Sequence, residues 1–178
     1  MRITGGAFMS QKKNTPASAV ALGGVLAALA VVIMSISGII PILTYVSPML
    51  CAVMLQTVML SCGNRIAWAW YGAVAILAAL LSADKEAAAT FTFLGYYPLV
   101  KPKFDRMHLK NVWKILFFNG STFLMYFILL HLLGMAALRE EFVQTGAVML
   151  IVLLVMGNIT FILLDRLLQR GLRLYHKN

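Results

Sequence analysis

The sequence predicts an all-α membrane protein, a six-helix transmembrane bundle with both termini in the cytoplasm. Three observations carry that expectation. The 178 residues are 61% hydrophobic and 12% charged, against roughly 25% charged residues in soluble domains. Apolar stretches recur at the length needed to cross a bilayer core of ~30 Å, about 20 helical residues each. The basic residues fall in alternate loops: segments 2–13, 65, 101–114 and 166–177 hold 13 of the 15 Lys and Arg. Basic loops stay inside, so these segments, both chain ends among them, face the cytoplasm, and the number of crossings is even. Lys85 and Arg139, each flanked by two acids, face outward.

The elements follow in order. Residues 1–16 form a cytoplasmic tail, 17–170 the membrane domain and 171–178 a basic cytoplasmic tail. The apolar run after Lys13 is too long for the hydrophobic region of a signal peptide and is read as a span. The first span covers Ala17 to Ser37 and ends near Gly38 and Pro41. The second covers Ile42 to Cys62 and ends at Gly63-Asn64-Arg65. The third covers Ile66 to Leu81 and opens with Trp68, Trp70 and Tyr71, placed as an interfacial aromatic belt would place them. The fourth, Ala87 to Val100, is too short to cross unaided. The fifth covers Val112 to Met135 and the sixth Gly146 to Leu168.

Composition excludes several functions. Six crossings leave no room for a nucleotide-binding domain, and no G-x-x-x-x-G-K-[ST] motif is present. The net charge of +9 is spread as a topology signal and not as a nucleic-acid patch. Cys51 and Cys62 lie on one helix, too far apart to bridge, and read as small apolar side chains. No second His or Cys stands at ligand spacing from His131, so neither a metal nor a cofactor is expected.

The stretch Asp84 to Lys101 interrupts the apolar pattern. Asp84-Lys85-Glu86 opens the fourth helix, and Gly95-Tyr96-Tyr97-Pro98 breaks it. A broken span exposes backbone groups that can meet a ligand, and tyrosines suit a partly polar small molecule. Asp84, Lys85 and Glu86 are therefore candidates for the outer mouth of a binding pocket, with Tyr96 and Tyr97 at the break. The acids would suit a positive group, Lys85 a carboxylate, and both together a zwitterion. The plainer account is that Asp84 and Glu86 cap the helix and favour its dipole, that the tyrosines belong to the inner belt, and that Pro98 ends the helix. Thr44, Tyr45 and Ser47 lie on the side needed to join Asp84. Tyr126 and His131 lie near the outer end of the fifth span. Gln56, Asn119 and Asn158 are polar residues inside spans, fit either for interhelical hydrogen bonds or, for Asn158, for substrate. Asp165 with Arg166 reads as a solvated pair near the inner end.

The first span carries three small-xxx-small pairs, Ala17/Ala21, Gly23/Ala27 and Gly24/Ala28, which allow close approach either within the bundle or to a separate membrane partner. With size, topology, Ala17-x-x-x-Ala21 and the run ALGGVLAALAVVIMSISGIIPILTYVSPML, the chain resembles the substrate-binding S components of energy-coupling factor (ECF) transporters. The resemblance implies a bacterial plasma-membrane protein without enzymatic activity that captures a vitamin or other micronutrient from outside. It implies docking through the first helix, at Ala17, Ala21, Gly24 and Ala28, onto a transmembrane coupling protein driven by two ATPases. It implies a ligand under the loops joining spans one–two, three–four and five–six.

Three other classes share the topology. A stand-alone ion-coupled carrier is disfavoured by six spans with no inverted repeat. A structural or assembly subunit of a membrane or cell-envelope complex would have a solid core. An integral membrane enzyme would cluster acids or histidines at one face, in a cavity open toward lipid. A capture protein would have a cavity with Asp84 or Glu86 and Tyr45 at its rim.

Overall fold

The computed structural model describes residues 16–39, 43–132 and 136–175. Every element among them is helical: α1 Pro16–Ile36, α2 Leu43–Cys62, α3 Asn64–Leu81, α4 Lys85–Leu94, α5 Tyr97–Asp105, α6 Lys110–Phe127 and α7 Ala136–Tyr175, with a 3-10 turn at Ser37–Ile39 and a π turn at Ile128–Leu132. Among the described residues, four helices are long and apolar enough to cross a membrane: Val20–Ile39, Leu43–Cys62, Asn64–Leu81 and Lys110–His131. Their outer faces agree with that environment. Val20, Val25, Ile76, Leu80 and Phe123 are all more than 60% exposed, a surface that water would penalise and lipid does not.

The helices start and stop for local reasons. Pro16 is the first residue of α1, where its missing N–H costs nothing. Between α2 and α3 the chain reverses at Gly63, whose φ of 88° lies in the left-handed region that a side chain would oppose. Asp84 caps α4: its backbone is extended and its Oδ1 accepts from the Ala87 N–H at 3.0 Å.

The core begins where α1, α2 and α3 pack through small side chains. Ala30, Cys51, Ala67, Val74 and Ala78 are fully buried, and Phe91 of α4 inserts among them. The Cys51 thiol points to the Ala30 carbonyl at 3.6 Å. A second cluster joins α5, α6 and α7 through Tyr97, Phe118, Phe161, Leu164 and Leu168.

The break expected at Gly95-Tyr96-Tyr97-Pro98 is present: Gly95 and Tyr96 separate α4 from α5. Several other sequence expectations need correction. Pro98 does not end a helix but sits in the first turn of α5, a position that needs no N–H donor. Trp70 and Tyr71 are not belt residues. Trp70 is buried and donates its indole N–H to the Gly23 carbonyl at 2.9 Å, and the Tyr71 hydroxyl donates to the Thr92 carbonyl. Trp68 is 43% exposed. Arg139-Glu140-Glu141 does not form a loop but lies in the first turns of α7, a helix of 40 residues that extends ~60 Å. The same helix continues to Tyr175, through most of the stretch read as a tail. Pro41 and Met135 lie outside the described residues.

The three small-residue pairs of α1 separate by face. Gly23 is buried, against Trp70, and Ala27 is half-buried beside it, whereas Ala21, Gly24 and Ala28 are exposed. The Ala17 side chain lies outside the described ones.

Gly95 is required by close approach. A Cβ there would collide with the carbonyl oxygen and ring of Phe91. Gly95→Ala is expected to cost about 1–3 kcal/mol through overpacking. Gly24→Ala, where a Cβ meets nothing within 4 Å, is expected to be neutral or to stabilise by up to ~1 kcal/mol. Thermal unfolding of the two variants in detergent checks the contrast.

Candidate substrate cavity

At the start of α4 three consecutive charged residues take three separate tasks. Asp84 uses both oxygens structurally: Oδ1 caps α4, and Oδ2 accepts from the Thr44 hydroxyl of α2 at 2.6 Å. The Ser82 hydroxyl bonds the Met34 carbonyl of α1 at 2.8 Å, so the short link 82–84 ties α1, α2 and α4 together. Lys85 turns back to donate to the Ala79 carbonyl near the end of α3 at 2.9 Å, where a cation meets the negative end of the helix dipole. Glu86 turns the other way. Its Oε1 accepts from the Tyr126 hydroxyl of α6 at 2.6 Å and from the Tyr45 hydroxyl of α2 at 3.2 Å.

Glu86, Tyr45 and Tyr126 lie at one end of a cavity of about 990 Å³ between α2, α4, α6 and α7. From Glu86 the cavity runs along α4 past Thr90 to Leu94 and Gly95, nine residues or ~14 Å. Its walls are mainly apolar, with Met49, Met125, Phe118 and Phe161 among them, and Thr90, Asn119, Thr122 and Thr160 add neutral polar groups. Glu86 is the one charged residue in the lining among the described residues. Toward α6 and α7 the lining includes the well-exposed Phe123, Ile151 and Leu154, so that flank is open. The Thr122 hydroxyl is buried in the α6 wall with no hydrogen-bond partner among the described residues, and so is that of Ser47 in α2.

The cavity unites only part of the constellation the sequence suggests. Tyr45, Glu86 and Tyr126 line it. Asp84 and Lys85 do not, for they are committed to the cap and to Ala79. Tyr96 lies outside it in an aromatic cluster with Trp68, Tyr71 and Phe117, with ring centroids 5.4–6.3 Å apart. Tyr97 is fully buried and gives its hydroxyl to Asp165 at 2.6 Å. Asn158 is not in the lining either. It pairs with Asn119, each amide donating to the other's Oδ1, at 3.0 and 3.1 Å, and Asn119 is the member that reaches the cavity wall. Gln56 donates to the Leu168 carbonyl at 2.8 Å, an interhelical bond of the kind expected for buried amides. His131 stacks on Phe127. No group of three His, Cys, Asp or Glu side chains that could hold a metal occurs among the described residues.

A second polar constellation was not foreseen. Asp165 of α7 does not pair with Arg166. Its carboxylate receives Lys101 of α5, Lys114 of α6 at 3.0 Å, Tyr97, and Gln169 at 3.1 Å. Asp105 completes the cluster, 2.6 Å from Lys114 and 3.7 Å from Lys101. Lys101 is 1% exposed and Lys114 4%, which is rare for lysine unless it is paired. The sequence signal was present but indirect: two lysines and an aspartate in a basic stretch, and one acid near the end of an apolar helix.

Removing Asp165 leaves two buried ammonium groups to share the one carboxylate of Asp105. Asp165→Ala is expected to destabilise the chain by about 3–5 kcal/mol, and Lys101→Met with Asp165→Leu to recover a large part of that loss. A double-mutant cycle on unfolding in detergent measures the coupling; additive effects would contradict the geometry.

Comparison of the chain with protein-family models, with curated proteins and with solved structures finds no match to any of them.

Proposed function

We propose that this chain is a membrane-embedded substrate-capture subunit of an ECF-type importer, which binds a small micronutrient from the outer side and hands it inward with an ATPase-driven coupling partner. In this reading the chain crosses the membrane six times with both ends cytoplasmic. α4 and α5 together form one broken crossing, and α7 contributes the last.

The observation that carries the reading is the cavity with Tyr45, Glu86 and Tyr126 at one end. Its volume of about 990 Å³ falls at the upper end of the usual range for small-molecule sites, mostly apolar with a few placed polar groups. The positive-inside rule puts this end outside, because Lys101, Lys103, Arg106, Lys110 and Lys114 gather at the other end of α4–α6. Ligand would therefore enter beside the Glu86 carboxylate and be held against the apolar walls below. The exposed face of α1 with Ala21, Gly24 and Ala28 offers the close approach that a coupling protein would use.

The alternatives lose ground on the same observation. A structural subunit has no need of a large cavity beside a tethered carboxylate. The open flank toward α6 and α7 is a feature expected of an enzyme acting on lipid, but among the described residues the lining holds one carboxylate and no second acid or histidine to form an acid–base pair with it.

Purified protein in detergent is expected to gain thermal stability from one member of a panel of vitamins, amino acids and nucleobases. The gain is ~2.7 kcal/mol at a hundred times the dissociation constant. Glu86→Ala should abolish the shift. Asp84→Ala should lower the starting stability by ~1 kcal/mol through loss of the cap and leave the shift in place. Silence across the panel would move the assignment to a structural subunit.

A further inference from the structure

We propose that the chain holds the phosphate of an anionic phospholipid in a small basic pocket between the α2–α3 turn and α5. The site is separate from the substrate cavity and does not depend on the capture reading. The pocket has a volume of about 360 Å³ and is lined by Met59 of α2, Asn64 of α3, Leu99, Pro102 and Lys103 of α5, and Arg106 just past the end of α5. Its depth follows from its neighbours. α2 and α3 are each long and apolar enough to cross a membrane, so the turn that joins them at Gly63 comes out at the membrane surface, among the headgroups.

The first ground is a count of charge. The chain has six acidic residues. Asp84 and Glu86, at the start of α4, are bonded by Thr44, Tyr45 and Tyr126. Glu140 and Glu141 lie in the first turns of α7, ~36 Å along that helix from Asp165. Asp105 and Asp165 are engaged by Lys101 and Lys114. Lys103 and Arg106 belong to no ion pair among the described residues. Every acid of the chain is engaged or stands at the far end of α7, so the counter-charge for this pair comes from outside the chain.

The second ground is how α5 presents the pair. Leu99, Pro102, Lys103 and Arg106 follow the spacing that puts residues on one helix face. Lys101 and Asp105, four apart, share another face and meet α6 and α7. One short helix thus divides its charge between a neutralised face turned into the bundle and a cationic face turned to α2 and α3. Leu99 is buried and Met59 half-buried, whereas Lys103 and Arg106 are exposed. The pocket therefore has an apolar floor and a cationic rim.

The third ground decides the source of the phosphate. The volume suits a headgroup, and the acyl chains stay in the bilayer. Arg106 offers a planar fork of donors to phosphate oxygens and Lys103 a point charge. A free phosphate ion would use the rim and leave the floor bare, while the glycerol of a lipid covers Met59 and Leu99. Basic pockets between spans on the side rich in Lys and Arg are where anionic headgroups bind.

The test follows thermal unfolding of the full chain in dodecyl maltoside during titration with dioctanoyl phosphatidylglycerol or dioctanoyl phosphatidylcholine. The phosphatidylglycerol is expected to bind at least about tenfold more tightly, through the attraction of two cations. Lys103→Gln with Arg106→Gln should bring that preference below about twofold. Arg166→Gln with Arg170→Gln removes two exposed cations of α7 outside the pocket and should leave the preference in place. Each single change at Lys103 or Arg106 should lose part of it, so a poorly folding double variant does not protect the proposal. Equal binding of the two lipids overturns the site. So does a preference that survives K103Q/R106Q, or one that falls as far in the α7 pair, which would make it a property of the whole basic surface. Inorganic phosphate and glycerol phosphate, at the concentration of the lipid, are expected to displace none of the phosphatidylglycerol. Displacement by either makes a soluble phosphate the ligand and overturns the lipid.

Discussion

One carboxylate, Asp165, holds one end of this bundle together. It draws Tyr97 and Lys101 from α5 and Lys114 from α6 onto α7. Each buried ammonium carries a desolvation cost of several kcal/mol, so neither lysine would stay in place without a counter-charge. Asp105 supplies the second, and the cluster of two lysines and two aspartates is neutral. The consequence reaches beyond the ion pairs. Tyr97 and Lys101 belong to the first turns of α5, so fixing them fixes where α5 begins. That in turn fixes the break at Gly95 and Tyr96, and Leu94 and Gly95 form the far end of the cavity.

The opposite end obeys a different logic. Asp84 and Glu86 are two residues apart, and a helix turns about 100° per residue, so carboxylates at this spacing face opposite sides. Asp84 lies outside the helix as its cap and binds α2 through Thr44. Glu86 lies inside the first turn and faces α6 and the cavity. The cap is what aims Glu86. A helix start frayed by one residue would rotate the carboxylate by the same 100° and part it from Tyr126. The stretch that looked like a single charged mouth is thus a structural residue, a residue answering a helix end, and one residue directed inward.

How far this was legible depended on whether the signal was local. Helix limits at Cys62, Leu81 and the break after Leu94 were readable because glycine, proline and the end of an apolar run act on the chain where they stand. The roles of Tyr45, Glu86 and Tyr126 as members of one group were readable only as a shared depth, set by counting along helices of known rise. Asp165 was misread because Arg166 is its neighbour in sequence, while its true partners are 64 and 51 residues away. Adjacent residues on a helix point 100° apart and seldom face each other. Trp70 was misread for a related reason. Its place near a helix start suggested the interface, but its indole N–H finds an acceptor in the Gly23 carbonyl of α1, and no feature of the Trp70 neighbourhood announces that. The cavity itself left no mark, because apolar walls around a void have the same composition as apolar walls around a packed core.

The cavity and the polar ties of α7 explain each other. Lipid tails are as apolar as leucine, so helices in a membrane gain little from hiding apolar faces and depend on close packing and hydrogen bonds. A helix that walls a cavity gives up packing along that length, since atoms facing a void have no partners there. α7 is in that position from Ile151 to Leu164. What remains to hold it is polar: Asn158 to Asn119 beside the cavity, Asp165 to the two lysines beyond it, and the Leu168 carbonyl to Gln56. These three ties step along one helix at 158, 165 and 168, with spacings of seven and three that keep them on one face. That face meets α6, α5 and α2 in turn. The amides that lipid would reject and the carboxylate that it would reject more strongly are therefore the means by which an under-packed wall stays in place, and the empty space between α2, α4, α6 and α7 can persist.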